Sequence, residues 1–241
     1  MRRRVVCSVA TVAAAAALLA SAGCGGTARR ARADSSPTKP GSRHTPLVMF
    51  LGDSYTTGRL GQIPELTYAA DTARTLGWQV IIAGYRGTGF VAKGHIGKNF
   101  LDLFVEQLAW RPAPDMVIVS GGHNDQLHSP EAVAEGARQL LTTIQHTWAG
   151  TRLLVVGPMW GGDPTPPVED VRDAIEGVAG EQHVPFIDPL RERWITGDRV
   201  QGTGNAPMYI LRDGIHPSTS GARYIATRLV ADLRTLKLAK P

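Results

Sequence analysis

The chain has 241 residues, 43% of them hydrophobic and 20% charged, with a formal net charge of +5. That length is enough for one sizeable α/β domain and an appendage, and the balance is that of a globular protein. The charge falls by three when Arg2, Arg3 and Arg4 are set apart as a targeting segment, leaving too mild a balance to argue for nucleic acid, and no aromatic-interleaved basic stripe is visible, so no nucleic-acid partner is expected; no period of repeats stands out.

Arg2-Arg3-Arg4 precedes an Ala-rich apolar stretch from Val5 to Ala22, the basic and apolar regions of an export signal. Two cleavage patterns compete. Ala20-Ser21-Ala22 fits an ordinary signal peptidase site. Ala22-Gly23-Cys24 resembles the end of a bacterial lipoprotein signal, although Ser21 departs from its usual large aliphatic residue. Cysteine arithmetic favours the second. Only Cys7 and Cys24 exist, and Cys7 leaves with the signal, so no disulfide forms within the mature chain. Residues 1–23 are thus read as a signal peptide with Cys24 lipidated, and free secretion is the alternative. The expected location is outside the cytoplasmic membrane, with the lipid as the membrane contact. Residues 24–45, rich in Ala, Arg, Ser, Pro and Gly, read as a flexible linker, and residues 46–238 as the domain.

Val48 to Leu51 is a continuous apolar run that ends in Gly52-Asp53-Ser54, the pattern of a buried parallel strand with a turn at its C-terminal end. Ligands bind at that edge in open α/β sheets. Capping of the next helix is the ordinary role for Asp53 or Ser54. Pro64 to Leu76 predicts a helix stopped at Gly77, and Trp78 to Ala83 a second strand. The loop Gly84-Tyr85-Arg86-Gly87-Thr88-Gly89 follows. Asn99 to Trp110 predicts a helix with Leu101, Phe104, Val105 and Leu108 on one face. Met116 to Val119 is a third strand, running into Ser120-Gly121-Gly122-His123-Asn124-Asp125. Ser129-Pro130 opens a helix with an apolar set of Val133, Ala137, Leu140, Leu141, Ile144 and Trp148. Leu153 to Val156 and Val184 to Ile187 read as strands around a helix from Val168 to Ala179. Arg191 to Leu211 reads mostly as loop. A last helix from Ser218 to Leu236 turns Ala222, Ile225, Ala226, Leu229, Leu233 and Leu236 to one side. The alternation predicts a three-layer α/β/α domain with a central parallel five-stranded sheet.

Four loops at one sheet edge then carry Ser54, a Gly-rich turn, Asn124, and Asp213 with His216. Acyl transfer needs a nucleophile, a base, an orienter for the base and oxyanion donors. Each residue alone has a structural reading as a cap, a turn residue or a surface histidine. In that order and spacing, Gly52-Asp53-Ser54-Tyr55-Thr56-Thr57-Gly58, the loop around Gly87, Gly122-His123-Asn124-Asp125 and Asp213-Gly214-Ile215-His216-Pro217 resemble the SGNH (GDSL) hydrolase family.

The resemblance implies a flavodoxin-like fold and a serine esterase needing neither metal nor organic cofactor. By it, Ser54 is the nucleophile, His216 the general base and acid, and Asp213 the orienter. The oxyanion donors would be the N–H groups of Ser54 and Gly87 and the Asn124 amide. Ile82 or Ala83 stands where many members carry a strand-end Asn, so Gly89 competes with Gly87 as donor. Phe90, Met159 and Trp160 are candidate linings for an acyl slot, with core packing as the alternative. His123, Asp125 and His128 would be a metal cluster only if they converged. The Gly-rich turn lacks the Gly-x-Gly opening of a dinucleotide loop and the Lys-Ser/Thr of a phosphate loop. No Gly-x-Ser-x-Gly elbow surrounds Ser54. The expected substrates are lipid or short-chain acyl esters, or acetylated carbohydrate, acted on by a monomer. A non-catalytic carbohydrate- or lipid-binding protein on the same fold is the second reading.

Overall fold

The computed structural model describes residues 44–241. The signal peptide, Cys24 and all but the last two residues of the linker lie outside them. His44, just before the first strand, bonds through Nε2 to both carboxylate oxygens of Asp115 at 2.9 Å.

Five strands form one parallel sheet: β1 (Leu47–Gly52), β2 (Gln79–Gly84), β3 (Met116–Ser120), β4 (Arg152–Val156) and β5 (Phe186–Ile187), in the order β2-β1-β3-β4-β5. The expected three-layer architecture is observed. Continuous apolar runs in β1, β3 and β4 have a direct consequence. Successive residues point to opposite faces, so each strand supplies two cores. Met49, Leu51, Val117, Val119 and Val155 pack on one side. Val48, Phe50, Met116, Ile118 and Leu154 pack on the other.

Helices α3 (Phe100–Gln107), α4 (Pro130–Thr147) and α5 (Pro166–Glu181) cover the first face. Helices α2 (Tyr68–Leu76) and α7 (Thr219–Thr235) cover the second. Two short helices, α1 (Ser54–Thr57) and α6 (Ala206–Tyr209), lie in the loops. Caps set the helix starts. Ser129 accepts from Ala132 N–H, Ser218 accepts from Gly221 N–H, and Asn99 with Asp102 forms a reciprocal capping box.

Four differences from the sequence reading are observed. The helix expected from Pro64 is a 3-10 turn over Pro64–Leu66, followed by α2, because Thr67 caps a fresh start. In α3 the buried side is Phe100, Leu103, Phe104 and Leu108, while Leu101 is only half-buried and Val105 is exposed. The run Phe-Leu-Asp-Leu-Phe-Val supports two apolar faces of similar strength, and packing on the sheet chose between them. The segment 191–211 contains α6, sends the fully buried Trp194 into the core of the second face, and packs Ile195, Ala206 and Ile210 into a small cluster of its own. At the end of α7, Leu236 is 41% exposed and lies outside the apolar set.

Candidate active site

Three strands deliver their loops to one rim. At the end of β1 the chain turns at once into α1. Asp53 is its cap, accepting from Tyr55 N–H at 2.9 Å. The capping reading of Asp53 is therefore met, and it leaves Ser54 as the first helical residue. Such a residue's N–H has no acceptor within the helix. Burial pushes the Asp53 carboxyl up to about 7, with the nearby Asp125 adding to the rise against the Tyr55 hydrogen bond.

Asp213 and His216 sit on a tight turn before α7. An antiparallel bridge between Ile210 and Pro217 closes it, and Leu211 N–H donates to the His216 carbonyl at 2.8 Å. Ser54 Oγ donates to His216 Nε2 at 2.9 Å, and His216 Nδ1 donates to Asp213 Oδ2 at 2.9 Å. The other oxygen, Asp213 Oδ1, accepts from the N–H groups of Ile215 and His216, both at 2.9 Å. Partial burial raises the Asp213 carboxyl, but these three donors outweigh it and hold the carboxyl below the usual carboxylate range. An ionised Asp213 thus fixes the imidazole with its lone pair toward Ser54.

Tyr55 links the two turns. Its hydroxyl donates to the Ile215 carbonyl, so the residue after Ser54 is tied to the residue before His216. Sequence reasoning passed over this tyrosine; its position next to Ser54 was the available signal.

Gly87 has φ +75°, a conformation that L side chains rarely adopt, and it lines the cleft together with Ser54 and Asn124. Gly89 is a poor competitor. Its N–H donates to the Ala92 carbonyl at 2.8 Å, and a Cβ there would stand 2.2 Å from Asp125 Oδ2. Asn124 Nδ2 donates one hydrogen to the Thr88 carbonyl at 2.9 Å, which orients the amide and leaves its second hydrogen free for a ligand.

Asp125 is the support beneath this loop. Its carboxylate accepts from three consecutive N–H groups, those of Phe90, Val91 and Ala92, at 2.8 to 2.9 Å. Burial raises its carboxyl above the ordinary value despite those bonds. The His123 ring donates from Nδ1 to the Met159 carbonyl at 3.2 Å and lies 4.8 Å from the Trp160 ring. Burial lowers its basicity, so the ring is neutral near pH 7. The two side chains thus serve the loop and the cleft wall rather than converging with His128. Among the described residues no group of three His, Cys, Asp or Glu is arranged to hold a metal ion.

The cleft holds about 440 Å³ and is walled by Arg59, Leu60, Arg86, His95, His123 and Ile215 around the residues above. The expected acyl lining is corrected here. Phe90 is 1% exposed and packs edge-on against Phe100 in the core. The Met159 side chain is likewise core. Trp160 lines a neighbouring cavity of about 180 Å³ that touches the cleft through His123 and Ile215. Arg59, Leu60 and His95 escaped sequence reasoning because isolated loop residues carry no periodicity.

Residues 50–224, which run from β1 past His216, match the sequence profile of the GDSL-like Lipase/Acylhydrolase family. A GDSL lipase of Mycobacterium tuberculosis is 31% identical over 206 residues, covering 79% of this chain and 82% of that protein. Two solved structures share the fold. A carbohydrate acetylesterase of Sinorhizobium meliloti superposes with a TM-score of 0.62 at 18% identity, covering 80% of this chain and 100% of its own. An aryl esterase of Mycobacterium smegmatis superposes with a TM-score of 0.58 at 20% identity, over 80% and 100%.

Proposed function

This chain belongs to the GDSL-like lipase/acylhydrolase family as an SGNH-type esterase, and we propose that it cleaves carboxylic esters through an acyl-enzyme on Ser54, with His216 and Asp213 as base and orienter. The observation that carries the proposal is the continuous chain of hydrogen bonds from Ser54 Oγ through the imidazole to Asp213, each link 2.9 Å. A binding protein on this fold would have no use for a hydroxyl aligned on a base.

His216 takes the Ser54 proton as Oγ attacks the ester carbonyl. The oxyanion receives hydrogen bonds from Ser54 N–H, Gly87 N–H and the free Asn124 amide hydrogen. Collapse of the tetrahedral intermediate expels the alcohol, which takes its proton from His216. Water, deprotonated by His216, then attacks the acyl-enzyme and releases the carboxylic acid and the free Ser54 hydroxyl. Asp213 stays ionised throughout and balances the imidazolium.

Lipid or short-chain acyl esters and acetylated carbohydrate are the substrate classes in view. The export signal and the Cys24 acyl site put the reaction outside the cytoplasmic membrane in this proposal. Labelling with a fluorophosphonate tests the nucleophile: the native protein takes up the probe and Ser54→Ala does not. Uptake that survives Ser54→Ala, or native protein inert to both probe and esters, would overturn the reading. Radiolabelled fatty acid incorporated in growing cells, and lost in Cys24→Ala, tests the anchor.

A further inference from the structure

Four arginines stand on the Ser54 cleft and the cavities that adjoin it, none of them in an ion pair among the described residues, although Arg199 shares a third cavity with Asp163 and Asp198. Arg59 and Arg86 line the cleft itself. Arg59 continues into a wider cavity of about 630 Å³, which Arg199 and Arg212 help to wall. The two cavities meet at Arg59 and Asp213. Asp213 is the one carboxylate in either wall, and its oxygens are already taken up by Ile215 and His216.

Elsewhere the arginines are mixed: Arg111, Arg152, Arg223 and Arg234 also make no pair with an acid among the described residues, whereas others do. Arg74, Arg138, Arg172, Arg191 and Arg228 each pair with an Asp or Glu. Among the described residues, none of the four at the mouth makes such a pair. Two of them are nevertheless held in place. Arg86 lies 4.9 Å over the Tyr85 ring, and Arg199 Nη1 donates to the Pro207 carbonyl at 2.7 Å. Scattered surface arginines are ordinarily solvated and indifferent. Four across two adjoining cavities, unpaired and partly tethered, with Arg59 common to both, concentrate positive potential where a ligand enters. The planar guanidinium fork matches a carboxylate or a phosphate.

We propose that this cationic mouth selects esters whose alcohol carries an anionic group, a carboxylate or a phosphate, held by Arg59 and Arg86. The inference rests on the esterase reading and adds the charge of the substrate. The alcohol side follows from the chemistry. His216 must hand its proton to the departing alcohol, so the alcohol lies on the His216 side. The wider cavity opens on that side, at Asp213.

The test compares three acetates with one acyl group: para-carboxyphenyl acetate, its uncharged methyl ester, and para-phosphonooxyphenyl acetate. At about 10 mM salt, kcat/KM for at least one anionic acetate should exceed that for the neutral one by about tenfold, and the ratio should shrink at about 500 mM salt. Which anion gains identifies carboxylate or phosphate as the group recognised. The double variant Arg59→Gln/Arg86→Gln should collapse the ratio toward unity, while Arg138→Gln, remote and paired with Glu135 and Glu181, should leave it intact. Equal rates on charged and neutral acetates, or a ratio unmoved by the double variant, would overturn the inference while leaving the esterase reading standing. No turnover of any of the three would remove that reading and this one with it.

Discussion

The Asn124 amide donates to the Thr88 carbonyl at 2.9 Å, so one proposed oxyanion donor is bonded to the residue that follows the other, Gly87. Two loops from different strands are thereby held as one unit at the top of the sheet. Pre-set donors of this kind cost no reorganisation when charge develops. Asn124→Ala should lower kcat by about 10²–10³ with little change in KM, read by steady-state ester hydrolysis. Asn124→Asp should be at least as damaging, because its carboxylate offers no hydrogen and repels the oxyanion. Full activity in Asn124→Ala would remove this residue from the oxyanion site.

Asp213 does two tasks with two oxygens. Asparagine can keep the bonds from Ile215 and His216 N–H through its own oxygen, so the turn should survive. It presents an N–H₂ group to His216 Nδ1, however, and so favours the wrong tautomer. Asp213→Asn should therefore lose about 10³–10⁴ in kcat while its melting temperature stays close to the native value. A large fall in melting temperature with modest loss of rate would mean a structural role instead.

Asp125 holds three backbone N–H groups that no other residue is placed to accept. Removal strands buried donors, each costing about 1–3 kcal/mol. Asp125→Ala should destabilise the domain by about 3 kcal/mol or more in urea unfolding. It should also depress kcat, because Gly87 loses its footing. Asp125→Asn, which keeps an acceptor, should recover part of both.

Asp53 makes stability depend on pH. Its folded carboxyl titrates at about 7 against an ordinary 3.8, so the folded state holds a proton that the unfolded state gives up. That contribution is fully present below the unfolded value and is lost as pH rises through the folded one. Stability should fall between about pH 4 and pH 7, and Asp53→Asn should flatten the fall, in urea titrations across that range. Asp232, raised to about 6 chiefly by burial and then by Glu192, acts in the same direction, so the difference between native and variant is the measurement. Identical slopes in the two proteins would refute the Asp53 assignment.

Much of this fold was legible from residue patterns. Unbroken apolar runs at β1, β3 and β4 can be buried only between two layers, and the caps Ser129 and Ser218 mark where α4 and α7 begin. The side of α3 was not legible, since Phe100 and Leu103 competed with Leu101 and Val105 on equal hydrophobicity. Nor was the cleft wall, for the position of Arg59 or His95 follows from loop paths that no local rule sets. Phe90 shows the same limit: an aromatic beside a functional loop went to the core, edge-on to Phe100.

Local chemistry thus determined the elements, the strand-end turns and the identity of the side chains able to perform acyl transfer, because periodicity and turn residues act over a few positions. Tertiary structure decided the rest. It brought an imidazole to a hydroxyl 162 residues earlier in the chain. It engaged the Gly89 N–H with the Ala92 carbonyl, leaving Gly87 on the cleft wall as the proposed donor, and it set Arg59 and Arg86 beside it. These are long-range outcomes of packing a sheet between two helical layers, and the distances they set are written in no single stretch of sequence.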